Sequence, residues 1–194
     1  MIKTYSKEFR ETFPFGKFQG SVKIIEDYRN IEKNVGYLLK YNIIGFDTET
    51  KPSFKKGDRH KVALVQFCTL DSAFLFRINK TGFHPAIINL LENEEVLKIG
   101  VSLQDDLREL KRIKKFNPCG FVDLQSIAES QGLTTLSLKG LSEEVLHLRI
   151  SKRQRLTNWE APQLSYAQIS YAATDAWIPL CIYKKLSSSF PKGS

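Results

Sequence analysis

The sequence predicts an α/β protein built on one mixed sheet, with helices over both of its faces. Three observations lead there. Short apolar runs crowd the stretch from Val22 to Val101, as strands would. Segments with apolar residues at helical spacing separate or follow them, as in Ile31, Val35, Leu38 and Leu39. A long helical pattern closes the chain from about residue 165 to 187. Strands first, then strands mixed with helices, suit a sheet covered on two sides. The 194 residues carry no linker or repeat, so one domain is expected, large enough to bury a core without staples.

In chain order, Val22 to Ile25 reads as a short strand and Ile31 to Leu39 as an amphipathic helix. Ile43 to Thr50 is an apolar run that turns acidic at its end, the pattern of a buried strand reaching a site. Basic residues 51–61 form a loop. Val62 to Leu70, Ala73 to Ile78 and Lys98 to Val101 read as strands, and Leu103 to Ile113 as a helix. Phe121 to Leu124 is a short strand, with helices through 125–146. The domain is expected over 20–187, with an extension at 1–19 and a tail at 188–194.

Composition excludes several classes. Hydrophobic residues at 42% and charged residues at 26% are ordinary globular usage, not that of a disordered tail, a collagen-like fibre or a disulfide miniprotein. No apolar run reaches the roughly 18 residues that a membrane span needs. Met1 to Phe15 lacks an apolar signal core, so an intracellular site is expected, cytoplasmic or, in a eukaryote, nuclear. Cys68, Cys119 and Cys181 are scattered and odd in number, which reads as reduced, mostly buried thiols. His60, His84 and His147 suggest neither a zinc site nor a partner for a cysteine nucleophile.

The net charge of +8 is uneven. Residues 51–61 sum to +4, residues 108–115 to +4 and residues 147–160 to +3, which leaves −3 for the rest. A single basic run is usually a solvated face, but three in one small domain suit a polyanion such as nucleic acid. Phe54 and Phe116 lie beside two of the runs, placed either to stack on bases or to enter the core.

Acidic residues converge in three places. Asp47 and Glu49 are two apart on a strand, so both point to one face. Two carboxylates at the end of a buried strand repel unless a cation sits between them, and Mg²⁺ or Mn²⁺ is the oxygen-seeking choice. In Gln104-Asp105-Asp106-Leu107, helical spacing places Asp106 with Leu103, Leu110 and Ile113 on the inward face and Asp105 on the wet one. Asp106 then serves either as a cap or as a metal ligand. Tyr171 and Asp175 share a helical face across small alanines, and Pro179 suggests a kink beyond them.

These motifs together resemble the DEDDy 3′–5′ exonucleases, the group that includes RNase D and the Werner-syndrome-protein exonuclease domain. The carriers are Phe46-Asp47-Thr48-Glu49, then Gly100-Val101 with Asp106 and Leu110, then Tyr171 with Asp175. Lys61 to Phe67, Lys98 to Val101 and Thr157-Asn158-Trp159 agree as well, and the likeness covers about residues 20–187. It implies an RNase H-like (DnaQ-like) mixed sheet of about five strands with helices on both faces. It implies two Mg²⁺ or Mn²⁺ ions held by Asp47, Glu49, Asp106 and Asp175, with Asp47 bridging both and Asp106 acting mainly through water. Tyr171 would orient the attacking water. The histidine variant of the family carries its histidine where Ser170 stands here.

The implied activity is removal of 5′-mononucleotides from the 3′ end of single-stranded DNA or RNA. Two metal ions about 3.5–4 Å apart can activate water, relieve phosphate charge and stabilise the leaving oxygen. A tyrosine with a pKa of about 10 is a poor base at neutral pH, so Tyr171 would position rather than deprotonate. Lys55, Lys56 and Arg59 in the first basic stretch, and Lys152, Arg153 and Arg155 in the third, are expected to neutralise the nucleic-acid backbone. Asp123 is read as a helix cap and Trp159 as a packing residue. Neither a helicase motif nor an accessory RNA-binding domain fits, so the domain is expected either to act alone or to borrow a helicase or other protein partner in trans. The alternative is a nuclease-like module that only binds nucleic acid.

Overall fold

In the computed structural model of this chain, residues 6–188 are described, apart from residues 56 and 58. Six strands make one sheet: β1 (Ser21–Ile25), β2 (Ile43–Thr50), β3 (Val62–Cys68), β4 (Ser72–Phe76), β5 (Leu97–Gly100) and β6 (Phe121–Asp123). They lie in the order β1-β4-β3-β2-β5-β6. This agrees with a mixed sheet of about five strands; the short β6, expected at Phe121 to Leu124, forms one edge and pairs parallel with β5 from Lys98↔Phe121 to Gly100↔Asp123. Only β3 runs against the others. The C-terminal ends of the remaining five strands therefore share one edge, where open α/β sheets place their ligands.

Besides single turns at Lys7–Arg10 and Ile78–Thr81, the α-helices among the described residues are α1 (Ile31–Leu38), α2 (Pro85–Glu92), α3 (Leu103–Ile113), α4 (Leu124–Ser130), α5 (Leu138–Leu141) and α6 (Tyr166–Ser187). The helices expected over 125–146 are α4 and α5, and α5 runs on into a π turn at Ser142–Leu146. α2 is absent from the sequence reading; its start is marked by Pro85 and by the His84 imidazole, which accepts from the Ala86 N–H at 3.0 Å. α6 opens on a capping box of Ser165 with Gln168 and continues as one helix through Pro179. None of the helices among the described residues is long and apolar enough to cross a membrane.

α1, α2 and α3 cover one face of the sheet, over a core that includes Ile44, Phe46, Phe67, Phe74 and Phe76. Phe116 belongs to this core, whereas Phe54 stands 81% exposed, so of the two only Phe54 faces solvent. The opposite face is closed by α6, whose Ala172, Ala173 and Ala176 are fully buried. A side chain on Gly45 would meet the Ala176 carbonyl oxygen at 1.8 Å, so β2 needs glycine there for α6 to lie against it. Ahead of β1, an arm at residues 13–18 is pinned to this layer. Phe18 N–H donates to Thr174 Oγ1 at 3.1 Å, and Gly16 N–H to the Arg149 carbonyl at 2.8 Å. Cys68 is buried and Cys119 and Cys181 are half-buried, all as free thiols.

Candidate active site

Strand alternation sorts the acidic end of β2. Ile44 and Phe46 enter the core beneath α3, and Thr48 follows them to bond Asp106 of α3. Gly45, Asp47 and Glu49 face α6, where Tyr171 and Asp175 sit one turn apart. Carboxylate oxygens of Asp47, Glu49 and Asp175 all lie within 4.8 Å of one another. Asp106 stands outside that group, its Oδ1 accepting a short hydrogen bond from the Thr48 hydroxyl, but it lines the same cleft of about 430 Å³. The helical spacing chose correctly between the two aspartates: Asp105 is 75% exposed and pairs with Arg108 at 2.8 Å.

α3 is placed for this task by Asp123. Its carboxylate accepts from the N–H groups of Ser102 and Leu103 at 3.1 and 2.9 Å, and from Gln125 at 3.0 Å. One side chain thus caps α4, as expected, and also holds the first turn of α3. Trp159 is fully buried and packs beside Tyr171, with ring centroids 6.1 Å apart. It fixes the ring that carries the hydroxyl.

The electrostatics of the cluster are lopsided. Burial raises Asp47 well above the usual carboxylate range, and Asp106 and Asp175 add to the rise. Glu49 is pushed up to about 10, by burial first and then by Asp47, Asp175 and Asp106, with Arg155 opposing. Burial pushes Asp175 up to about 7 against the contact with Tyr171 and the charge of Lys152. Asp106 rises to about 6, again through burial, with Thr48 opposing. Tyr171 is raised by burial and then by Asp175, so its hydroxyl stays protonated. The protein therefore gathers four acids that its own cations do not neutralise. The donors are all oxygen and close together, a set that fits divalent cations of the Mg²⁺ or Mn²⁺ kind.

The basic residues divide. Lys152 and Arg155 line the acidic cleft, while Arg153 lines an adjoining groove. Arg59 lines a separate cavity with His60 and Glu160, and Lys55 is exposed on the loop. Lys56 lies outside the described residues. In the second run, 108–115, Arg108 pairs with Asp105 and Arg112 with Glu109 along α3. Sequence reasoning missed Thr48 and Lys139, which also line the cleft. Strand alternation could have found Thr48, since it points where Asp106 must come. It also missed Gln66, which lies directly across the ladder from Asp47 and whose amide atoms are buried with no hydrogen-bond partner.

Comparison with known proteins bears on the family and the fold. Residues 22–190 match the family model described as 3′–5′ exonuclease. The mouse bifunctional 3′–5′ exonuclease/ATP-dependent helicase WRN is 33% identical over 188 residues, covering 92% of this chain and 13% of that protein. The chain thus spans a small part of that relative's length. Among solved structures, the Aedes aegypti Nibbler EXO domain superposes with a TM-score of 0.79 at 21% identity, covering 86% of this chain and 87% of that one. Trypanosoma brucei RNase D in complex with RNA U12 gives 0.77 at 19% identity, covering 90% and 64%.

Proposed function

This chain belongs to the 3′–5′ exonuclease family, and from that premise we propose that it cleaves phosphodiester bonds one nucleotide at a time from the 3′ end of single-stranded DNA or RNA, releasing 5′-mononucleotides. The observation that carries the reading is the gathering of Asp47, Glu49 and Asp175 within 4.8 Å, with Asp106 on the same cleft. Two divalent ions, Mg²⁺ or Mn²⁺, would be held by these four residues and would supply water activation and charge relief. Asp47, at the centre, would serve both ions, and Thr48 would hold Asp106 at its distance. Tyr171 would keep its proton and orient the attacking water by donating from its hydroxyl. Lys152 and Arg155 would meet the phosphates and partly balance the acids.

The test is digestion of a 5′-labelled single strand with Mg²⁺ or Mn²⁺. Stepwise shortening and 5′-mononucleotide products are expected, with none in EDTA. Asp47→Ala should fold and lose activity by about 10³-fold or more. Tight strand binding without cleavage under any divalent ion would favour a binding module instead.

A further inference from the structure

A second groove opens on the other side of Tyr171 and Asp175, with a volume of about 380 Å³. Its floor is α6; its walls are the arm around residues 15–17 and the turn at residues 151–154. Two large aromatic rings stand out of it. Phe15 is 64% exposed and Tyr166 is 75% exposed, yet neither is loosely held. Lys17 Nζ donates to the Tyr166 hydroxyl at 3.1 Å and lies 4.7 Å from its ring centroid. The Arg149 guanidinium sits 4.3 Å from the Phe15 ring centroid, and its Nε donates to the Phe13 carbonyl at 2.9 Å. The backbone of the arm is hydrogen-bonded to Arg149 and to α6 on either side. Rigid, exposed rings gain nothing from the core. Beside Lys17 and Arg153 they make the combination on which bases stack and phosphates settle.

We propose that this groove binds single-stranded nucleic acid, with bases stacking on Phe15 and Tyr166 and backbone phosphates against Lys17 and Arg153. It is continuous with the acidic cleft through Tyr171 and Asp175, so the strand held in it is the one being cut; in this the inference rests on the exonuclease reading. On this proposal a dinucleotide would occupy the cleft alone, whereas a 12-mer would reach the groove as well. Removing both rings with Phe15→Ala/Tyr166→Ala should raise the Kd of a fluorescent 12-mer, measured in EDTA, by about 10-fold or more. The same variant should raise KM for the 12-mer but leave kcat/KM for a dinucleotide within about twofold, because the cleft is untouched. Lys17→Ala should lower the slope of log Kd against log salt by about 0.7. Equal 12-mer binding by wild type and the double variant overturns the groove. So does an equal loss on dinucleotide and 12-mer. Ring-dependent binding without cleavage by the wild type, metal present, overturns the exonuclease reading and leaves the groove standing.

An independent observation concerns Gln66. It is fully buried, directly opposite Asp47 in the β2–β3 ladder, and both of its amide atoms lack partners. A buried, unsatisfied amide costs stability, so its presence calls for a reason. We infer that Gln66 is a positioning residue whose NH₂ orients the Asp47 carboxylate across the ladder for cation binding. Gln66→Met keeps the volume and removes the amide. The expected pairing is a higher Tm without metal and an Mn²⁺ affinity weaker by about 10-fold, read by calorimetry. Unchanged Mn²⁺ affinity, or a lower metal-free Tm, contradicts the role.

Discussion

Two clusters of buried charge sit along the same edge of one sheet, and they are built on opposite plans. Beyond the ends of β1 and β4, Arg77 is wholly buried and both of its Nη atoms are engaged, although its Nε has no partner. It donates to Glu26 at 2.7 Å, to the Pro162 carbonyl at 3.1 Å and to the Ala161 carbonyl. Lys80 joins the same Glu26 at 2.9 Å, and with Arg77 it holds that carboxyl below its usual range. At the end of β2, Asp47, Glu49, Asp106 and Asp175 all lie above their usual range, chiefly through burial. The first cluster pairs its charges internally and ties down the 161–162 segment. The second is left in need of positive charge from outside. A buried ionic group with its partners is structural, and one without them marks a site.

The strongest way to break this contrast is to remove one member from each cluster. Asp47→Ala should abolish cleavage while leaving the metal-free Tm equal or higher, because one of four mutually repelling acids is gone. Arg77→Met should do the reverse. It orphans the Ala161 carbonyl and leaves the Pro162 carbonyl and Glu26 to Lys80 alone, costing about 2–3 kcal/mol of stability, while cleavage per folded molecule stays within about twofold. Loss of activity from both variants in proportion to unfolding would dissolve the distinction.

Next in size is the pH dependence of the metal-free protein. Acids with raised folded-state values bind more protons folded than unfolded above about pH 4. Stability should therefore fall as pH rises through about 6 and 7, where Asp106 and Asp175 ionise. Thermal melts from pH 5 to 8 should show Tm falling without metal and much less with saturating Mn²⁺. A metal-free Tm that rises across this window would contradict the raised values.

Tyr171→Phe comes after that. The fold and Mn²⁺ binding should survive, and kcat should drop by about 10²-fold, since only the hydroxyl that orients water is lost. The smallest effect belongs to Asp105→Ala. Beside Asp106 in sequence but exposed and paired with Arg108, it should change stability by less than about 0.5 kcal/mol and leave activity intact.

The contrast between Asp105 and Asp106 also shows what the sequence makes legible. Helical spacing and strand alternation are local rules, and they place Asp47, Glu49, Asp106, Tyr171 and Asp175 on converging faces. The six strand segments were readable for the same reason. What stayed hidden depends on approach between distant segments. Thr48 matters because α3 lies under β2, and Phe15, Lys17 and Tyr166 meet only because the arm folds back onto α6. Arg59 sits in a basic run yet lines a different cavity from Lys152, a separation that charge counting cannot express.

The central claim is that the acidic cluster is completed by divalent cations. Calorimetric titration of Mn²⁺ at pH 6.5, in two buffers of different ionisation enthalpy, tests it directly. Glu49 and Asp175, at about 10 and about 7, hold protons there that cation binding must expel. The expected result is saturable binding with release of about one to two protons per chain, abolished by Asp47→Ala. Binding without proton release, or binding that survives Asp47→Ala unchanged, would contradict it.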